Sequence, residues 1–175
     1  MTQRLNDQSG AALILSLLLL LVMSLLAISS MQGTVMQERM VSAEREGMVS
    51  LEVAESAIRD AEIFIDGLTT LTGFNGNNGL FGMGNATPDP IANATWVGGN
   101  VRDATVVVVN GTNVTPRFFV EHVGDAENQE NLMEGQGYSG PVATEAQAFR
   151  IVAWSPGVTG SSQRVIESFY TRQGF

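Results

Sequence analysis

The sequence predicts an α+β fold in which one long N-terminal helix, apolar in its first half and amphipathic in its second, packs on a four-stranded antiparallel sheet. Three observations predict it. From Ala11 to Ile28 the chain carries no charge and, apart from Ser16, Ser24 and the small Ala residues, is built of Leu, Ile, Val and Met. From Thr34 to about Asp66, apolar or small residues recur at steps of three and four with no proline among them. From Val101 onward, β-branched and alternating runs are separated by turn residues. The chain divides accordingly into a polar leader (1–10), an apolar helix (11–30), its amphipathic continuation (31–68), a Gly/Asn-rich loop region (69–100) and a sheet (101–175).

The leader is polar, with Arg4 and Asp7 cancelling, and ends at Gly10. A glycine there is sterically open, and a protease at a membrane surface could bind it in extended form. Glycine before an apolar helix is also simply common. The run from Ala11 to Ile28 is about 18 residues, near the lower limit for crossing a hydrocarbon core of roughly 30 Å. A secretory signal peptide has an apolar core of about 7 to 15 residues, a small-x-small cleavage site and then unrelated sequence. Here helical periodicity carries on past the run, which favours a membrane-inserted helix over a signal peptide or a buried helix.

The continuing stripe comprises Met36, Met40, Ala43, Gly47, Leu51, Ala54, Ile58, Ala61, Ile65 and Leu68. Met40, Gly47, Leu51, Ala54, Ile58, Ala61 and Ile65 are the candidate helix–sheet packing residues, and the small ones let a sheet approach closely. Opposite lie Glu38, Glu44, Glu46, Glu52, Glu55, Arg59 and Glu62, a solvated face on which Glu55 and Arg59 have the spacing of an ion pair. Joined to the apolar run, this is one helix of about 55 residues, on the order of 80 Å long. Met31, Met36, Met40 and Met48 read as adaptable packing rather than a metal or haem site, and Gly67 fits a C-terminal cap.

The stretch from Gly73 to Asn85 is a Gly/Asn loop, mobile or packed on the surface; no strand is expected before its glycines and no helix or lysine after them, so it is not a phosphate cradle. Four strands follow, at Thr105 to Val109, Arg117 to Val123, Ala148 to Ser155 and Gln163 to Thr171, with Asn110-Gly111 as the first turn. One face of this antiparallel sheet is expected to cover the helix stripe.

Composition narrows the function classes. The 175 residues carry nine basic and eighteen acidic side chains, a net charge of −9. Every basic residue is an arginine and they are scattered singly, so the basic patch that nucleic acid needs is missing. Absence of cysteine removes disulfides and thiolate metal sites. His122 is the only histidine, which excludes a multi-histidine metal centre and leaves a catalytic triad resting on one strand residue. Asp125, Glu127, Glu130 and Glu134 form an acidic loop where calcium is conceivable, but the glycine and terminal glutamate of an EF-hand loop are missing. Asn-x-Thr triplets begin at Asn85, Asn93, Asn110 and Asn113, as an Asn/Gly/Thr-rich turn region produces by composition. No enzymatic site, cofactor or metal is expected.

Gly10-Ala11-Ala12-Leu13, Gln37-Glu38-Arg39-Met40 and the run from Ala54 to Glu62 (Ala-Glu-Ser-Ala-Ile-Arg-Asp-Ala-Glu), with Pro116-Arg117-Phe118 and Phe149-Arg150-Ile151-Val152-Ala153 further on, resemble a type IV pilin, and more closely a PilX-type minor pilin. The resemblance implies the pilin fold, cleavage after Gly10 by an inner-membrane prepilin peptidase and methylation of the new Ala11 amine. It implies a single-pass inner-membrane protein of a Gram-negative bacterium with a periplasmic C-terminus, later extracted into a pilus on the cell surface that serves adhesion and twitching motility. The implied partners are other minor pilins, the major pilin and the large calcium-dependent tip adhesin, with the chain a substrate of an enzyme and not one itself. Major pilins carry a glutamate five residues into the mature chain; here that position is Leu15, which marks a subunit at the tip. Two other readings stay open: a pseudopilin of a type II secretion system, and a bitopic membrane-anchored binding domain unrelated to filaments.

Overall fold

The structure, a computed structural model, describes residues 9–126 and 146–174. Residues 1–8 of the leader and Glu127, Glu130 and Glu134 of the acidic loop lie outside the described residues. The chain divides into two compact units, Met1–Glu44 and Arg45–Phe175. Helix α1, Ser9–Asp66, contributes to both.

In the first unit α1 is a continuous helix of good helix formers, and it is long and apolar enough to cross a membrane. None of its apolar window is buried within the structure. The hydroxyls of Ser16 and Ser24 turn back to the Leu13 and Leu21 carbonyls at 2.9 and 2.8 Å. That internal bond removes the cost of carrying a hydroxyl into an apolar medium.

In the second unit α1 packs on a sheet. The further elements are β1 (Leu80–Phe81), α2 (Asn93–Val97), β2 (Arg102–Asp103), β3 (Val107–Val109), β4 (Thr112–Val114), β5 (Arg117–Ala126), β6 (Ala146–Pro156) and β7 (Gln163–Gln173). The main sheet has the order β1-β5-β6-β7, with β2 also paired to β5. The expected α+β arrangement of a long helix on a sheet is present, but the sheet is mixed rather than four-stranded and antiparallel. β1 runs parallel to β5, placing Leu80 opposite Val120, while β2, β6 and β7 pair antiparallel with their neighbours.

The difference begins at the first expected strand. Val107–Val109 pairs only with Thr112–Val114, in a separate two-stranded hairpin. Asn110 and Gly111 turn it with φ of 50° and 79°, the left-handed pair that a tight hairpin needs. Pro116, which lacks an N–H, then stands between β4 and β5 and stops the hairpin from running on into the ladder. β1 and β2 take the place beside β5. The Gly/Asn stretch is therefore part of the fold: Phe74, Leu80 and Phe81 are buried, and Val120 donates its N–H to Gly79 O at 2.8 Å. Gly79, with φ +73°, lies so close to the chain at Arg102 that a Cβ would meet the Arg102 nitrogen at 3.1 Å.

The sheet is covered on both faces. Ala57, Ile58, Ala61 and Ile65 of α1 pack with Phe118 and Val120 of β5 and Phe149, Ile151 and Ala153 of β6. Trp96 closes the opposite face over Phe81, Phe119 and Val152. Its ring stacks on Trp154 at 5.8 Å and on Phe119 at 5.7 Å, and its indole N–H donates to Pro90 O at 2.8 Å.

Candidate functional site

Of the candidate packing residues, Ile58, Ala61 and Ile65 are brought together in the core cluster, and Ala54 and Gly47 are buried. Met40 is 65% exposed and lies in the first unit, and Leu51 is 39% exposed at the margin of the seam. The buried face comprises Gly47, Ser50, Val53, Ala54, Ala57, Ile58, Ala61 and Ile65, so it extends beyond the expected stripe toward Ser50 and Val53. Hydropathy hid Ser50, whose hydroxyl is satisfied within its own turn by Gly47 O at 3.0 Å. At Gly47 a Cβ would meet Arg164 Nη2 at 3.1 Å, so a small residue lets the strand's guanidinium approach the helix.

Polar clamps fasten the same seam along its length. At one end the Glu46 carboxylate accepts the Thr159 N–H at 3.0 Å and also the Thr159 hydroxyl. These bonds hold its pKa below the usual carboxylate value. In the middle Asp60 Oδ2 accepts the Thr105 N–H at 2.7 Å. At the other end the Tyr170 hydroxyl donates to Asp66 at 2.8 Å, which raises the tyrosine pKa. Arg172 Nη1 donates to the Ile65 carbonyl in the last turn of the helix and to the Leu68 carbonyl just beyond it, each at 2.6 Å, supplying one cation where the helix leaves its last carbonyls open. Glu46, read from sequence as solvated, is thus a tether.

On the outer face Arg150 bridges three strands. Its Nη1 donates to Glu121 at 3.0 Å, while Nε and Nη2 make a two-pronged contact with Glu167 at 2.9 and 3.0 Å. The hydrogen bond from Arg150 lowers the Glu167 pKa. Glu55 and Arg59 form no ion pair among the described residues.

His122 is buried between the rings of Phe74 and Phe149, at centroid distances of 6.0 and 5.4 Å. The Gln147 amide nitrogen donates to Asp125 at 2.6 Å, so its oxygen faces His122 Nε2 at 2.7 Å and that nitrogen carries the proton. Among the described residues no group of three or more His, Cys, Asp or Glu side chains could hold a metal ion. Chemically, this arrangement locks elements together: Glu46, Asp60, Asp66, Asp103, Asp125, Glu121 and Glu167 all accept protein hydrogen bonds.

The N-terminal candidate residues belong to the first unit. Gly10 lies within α1, where a Cβ would meet nothing within 4 Å, and Ala11 is exposed. Leu15 is 63% exposed among equally exposed leucines. Beyond the apolar run, Met31, Val35, Met36 and Met40 continue the exposed apolar surface on either side of Arg39. A continuous apolar surface of this length fits lipid or other helices, not water.

Two family models match the chain. The one described as PilX N-terminal covers residues 9–59, and the one described as type IV pilus assembly protein PilX C-term covers residues 73–172. No curated protein and no solved structure matches it.

Proposed function

The chain belongs to the PilX family of type IV pilus assembly proteins, and from that membership we propose that it is a minor pilin that helps initiate the pilus and sits at or near its tip. As a pilus assembly protein it interacts with other pilus components; the proposed ones are the major pilin, other minor pilins and the large tip adhesin. The exposed apolar half of α1 is compatible with membrane anchoring and with a pilus surface location. In the proposed route the head is periplasmic, a prepilin peptidase cleaves after Gly10, the Ala11 amine is methylated, and the helix leaves the inner membrane for a bundle of helices in the filament.

The observation that carries the tip placement is Leu15. The pilin pattern puts a glutamate at that position in shaft subunits, where a carboxylate in an apolar bundle is costly unless it meets a cation. The cation in that pattern is the amine of the neighbouring subunit ahead. A subunit with leucine has no such carboxylate to desolvate and none to neutralise a neighbour, so it suits the position with no subunit ahead of it. A Leu15→Glu variant tests this: the reading predicts that it appears along the shaft in the amounts of the normal protein, and unchanged tip-only placement contradicts it. Deletion of the gene is expected to remove pili and leave protein secretion intact; the reverse pattern would favour the pseudopilin.

A further inference from the structure

β7 ends the main sheet. Its eleven residues pair with β6 from Gln163 to Gln173 without a register shift, and no described strand lies on its other edge. A strand paired on one side presents a row of backbone donors and acceptors, and an extended chain is what satisfies such a row. Edges that avoid pairing are short, bulged, interrupted by proline, charged or covered; of these devices β7 carries charges, at Arg164, Glu167 and Arg172, and the Glu167 charge is already met by Arg150. β7 is long, regular and free of proline. Alongside it, between α1 and the strand, lies a groove of about 290 Å³ lined by Glu55, Ile58, Arg59, Ile166, Glu167 and Ser168.

The side chains along this edge are unevenly satisfied. Strand alternation puts Arg164 and Tyr170 on the helix side, where Arg164 approaches Gly47 and Tyr170 bonds Asp66, and puts Val165 and Phe169 on the outer side. Val165 and Phe169 are 40% and 67% exposed. Glu167 is held by Arg150, whereas Arg59 and Arg164 form no ion pair among the described residues. We propose that β7 is an acceptor edge for a strand of another protein, one that presents a carboxylate to Arg164 and apolar side chains beside Val165 and Phe169.

A second copy of this chain fits less well. With the helices kept on one face, the antiparallel self-pairings of longest overlap set Arg164 against Arg172, Tyr170 or Gly174, and none offers it a carboxylate. The heterologous strand gains the full backbone ladder, covers the two exposed apolar residues and neutralises a guanidinium. Backbone bonds supply the affinity and the alternate side chains the selectivity.

The test uses the full chain in detergent micelles and a short synthetic peptide of alternating valine and threonine, with one threonine replaced by aspartate at the position facing Arg164. The expected result is slowed amide exchange from Gln163 to Thr171, no protection from the same peptide N-methylated along its backbone, and binding about tenfold weaker when lysine replaces the aspartate. Arg164→Glu is expected to invert the aspartate–lysine preference; should that variant misfold, Arg59→Glu on the groove wall is expected to shift it in the same direction. The proposal is overturned if the aspartate peptide leaves the β7 amides unprotected, or if the methylated peptide protects them equally. Protection without peptide that grows with protein concentration overturns it in favour of self-association.

Discussion

Thr159 donates its backbone N–H to the Glu46 carboxylate at 3.0 Å, joining two residues 113 positions apart. The contact ties the β6–β7 turn to the helix just inside the second unit. Because the folded state depresses the Glu46 pKa, the bond stabilises the fold above the unfolded value of 4.5 and is lost as pH falls through the lowered one. The Thr159 amide resonance is therefore expected to titrate with a midpoint below 4.5 in the native protein, and not to titrate in Glu46→Gln.

Tyr170 carries the opposite sign. Its hydroxyl bond to Asp66 raises its pKa, so the contribution is complete below the unfolded value of 10.0 and is lost as pH rises through the higher folded value. Tyrosinate absorbance of the native protein is expected to show one component titrating late that disappears in Tyr170→Phe. The substitution is expected to cost about 0.5 kcal/mol, the low end for a hydrogen bond because the pair is largely solvated.

The seam between helix and sheet distinguishes neighbouring positions of one stripe. Ala61 is fully buried against the sheet, so Ala61→Leu forces the helix away and is expected to cost about 1–3 kcal/mol by denaturant unfolding. Met40→Ala, at an exposed position, is expected to stay within about 0.5 kcal/mol in the same assay.

Trp96 is fully buried on the opposite face, wedged between Phe119 and Trp154. Truncation to alanine opens that face and is expected to cost about 3–5 kcal/mol. Loss of near-ultraviolet circular dichroism with retained far-ultraviolet signal at partial denaturant would mark Trp96→Ala as a loosened head.

Much of this was legible from the residues because periodicity reports burial. The helix through Asp66 and the strands at Arg117, Ala148 and Gln163 announce themselves by alternation or by steps of three and four. Trp96 and the short strand at Leu80–Phe81 did not, since two residues in a Gly/Asn context carry no period; only the large apolar side chains of Phe74, Phe81 and Trp96 hinted that the stretch packs. The valine run at Val107–Val109 has high strand propensity, yet Pro116 detaches it from the main ladder, and propensity is silent on which partner a strand takes. The tethers at Glu46 and Asp66 were invisible for a different reason. Their partners, Thr159 and Tyr170, are more than a hundred positions away, and a solvated helix face and a tethered one have the same composition.

The central claim is that the apolar half of α1 is a processed pilin segment, held first in a membrane and then in a filament. Mass spectrometry of the N-terminus of the protein recovered from sheared pili tests it most directly. The account predicts a mature chain that begins at N-methylated Ala11. Protein that retains Met1 to Gly10 and stays with the membrane fraction would contradict it.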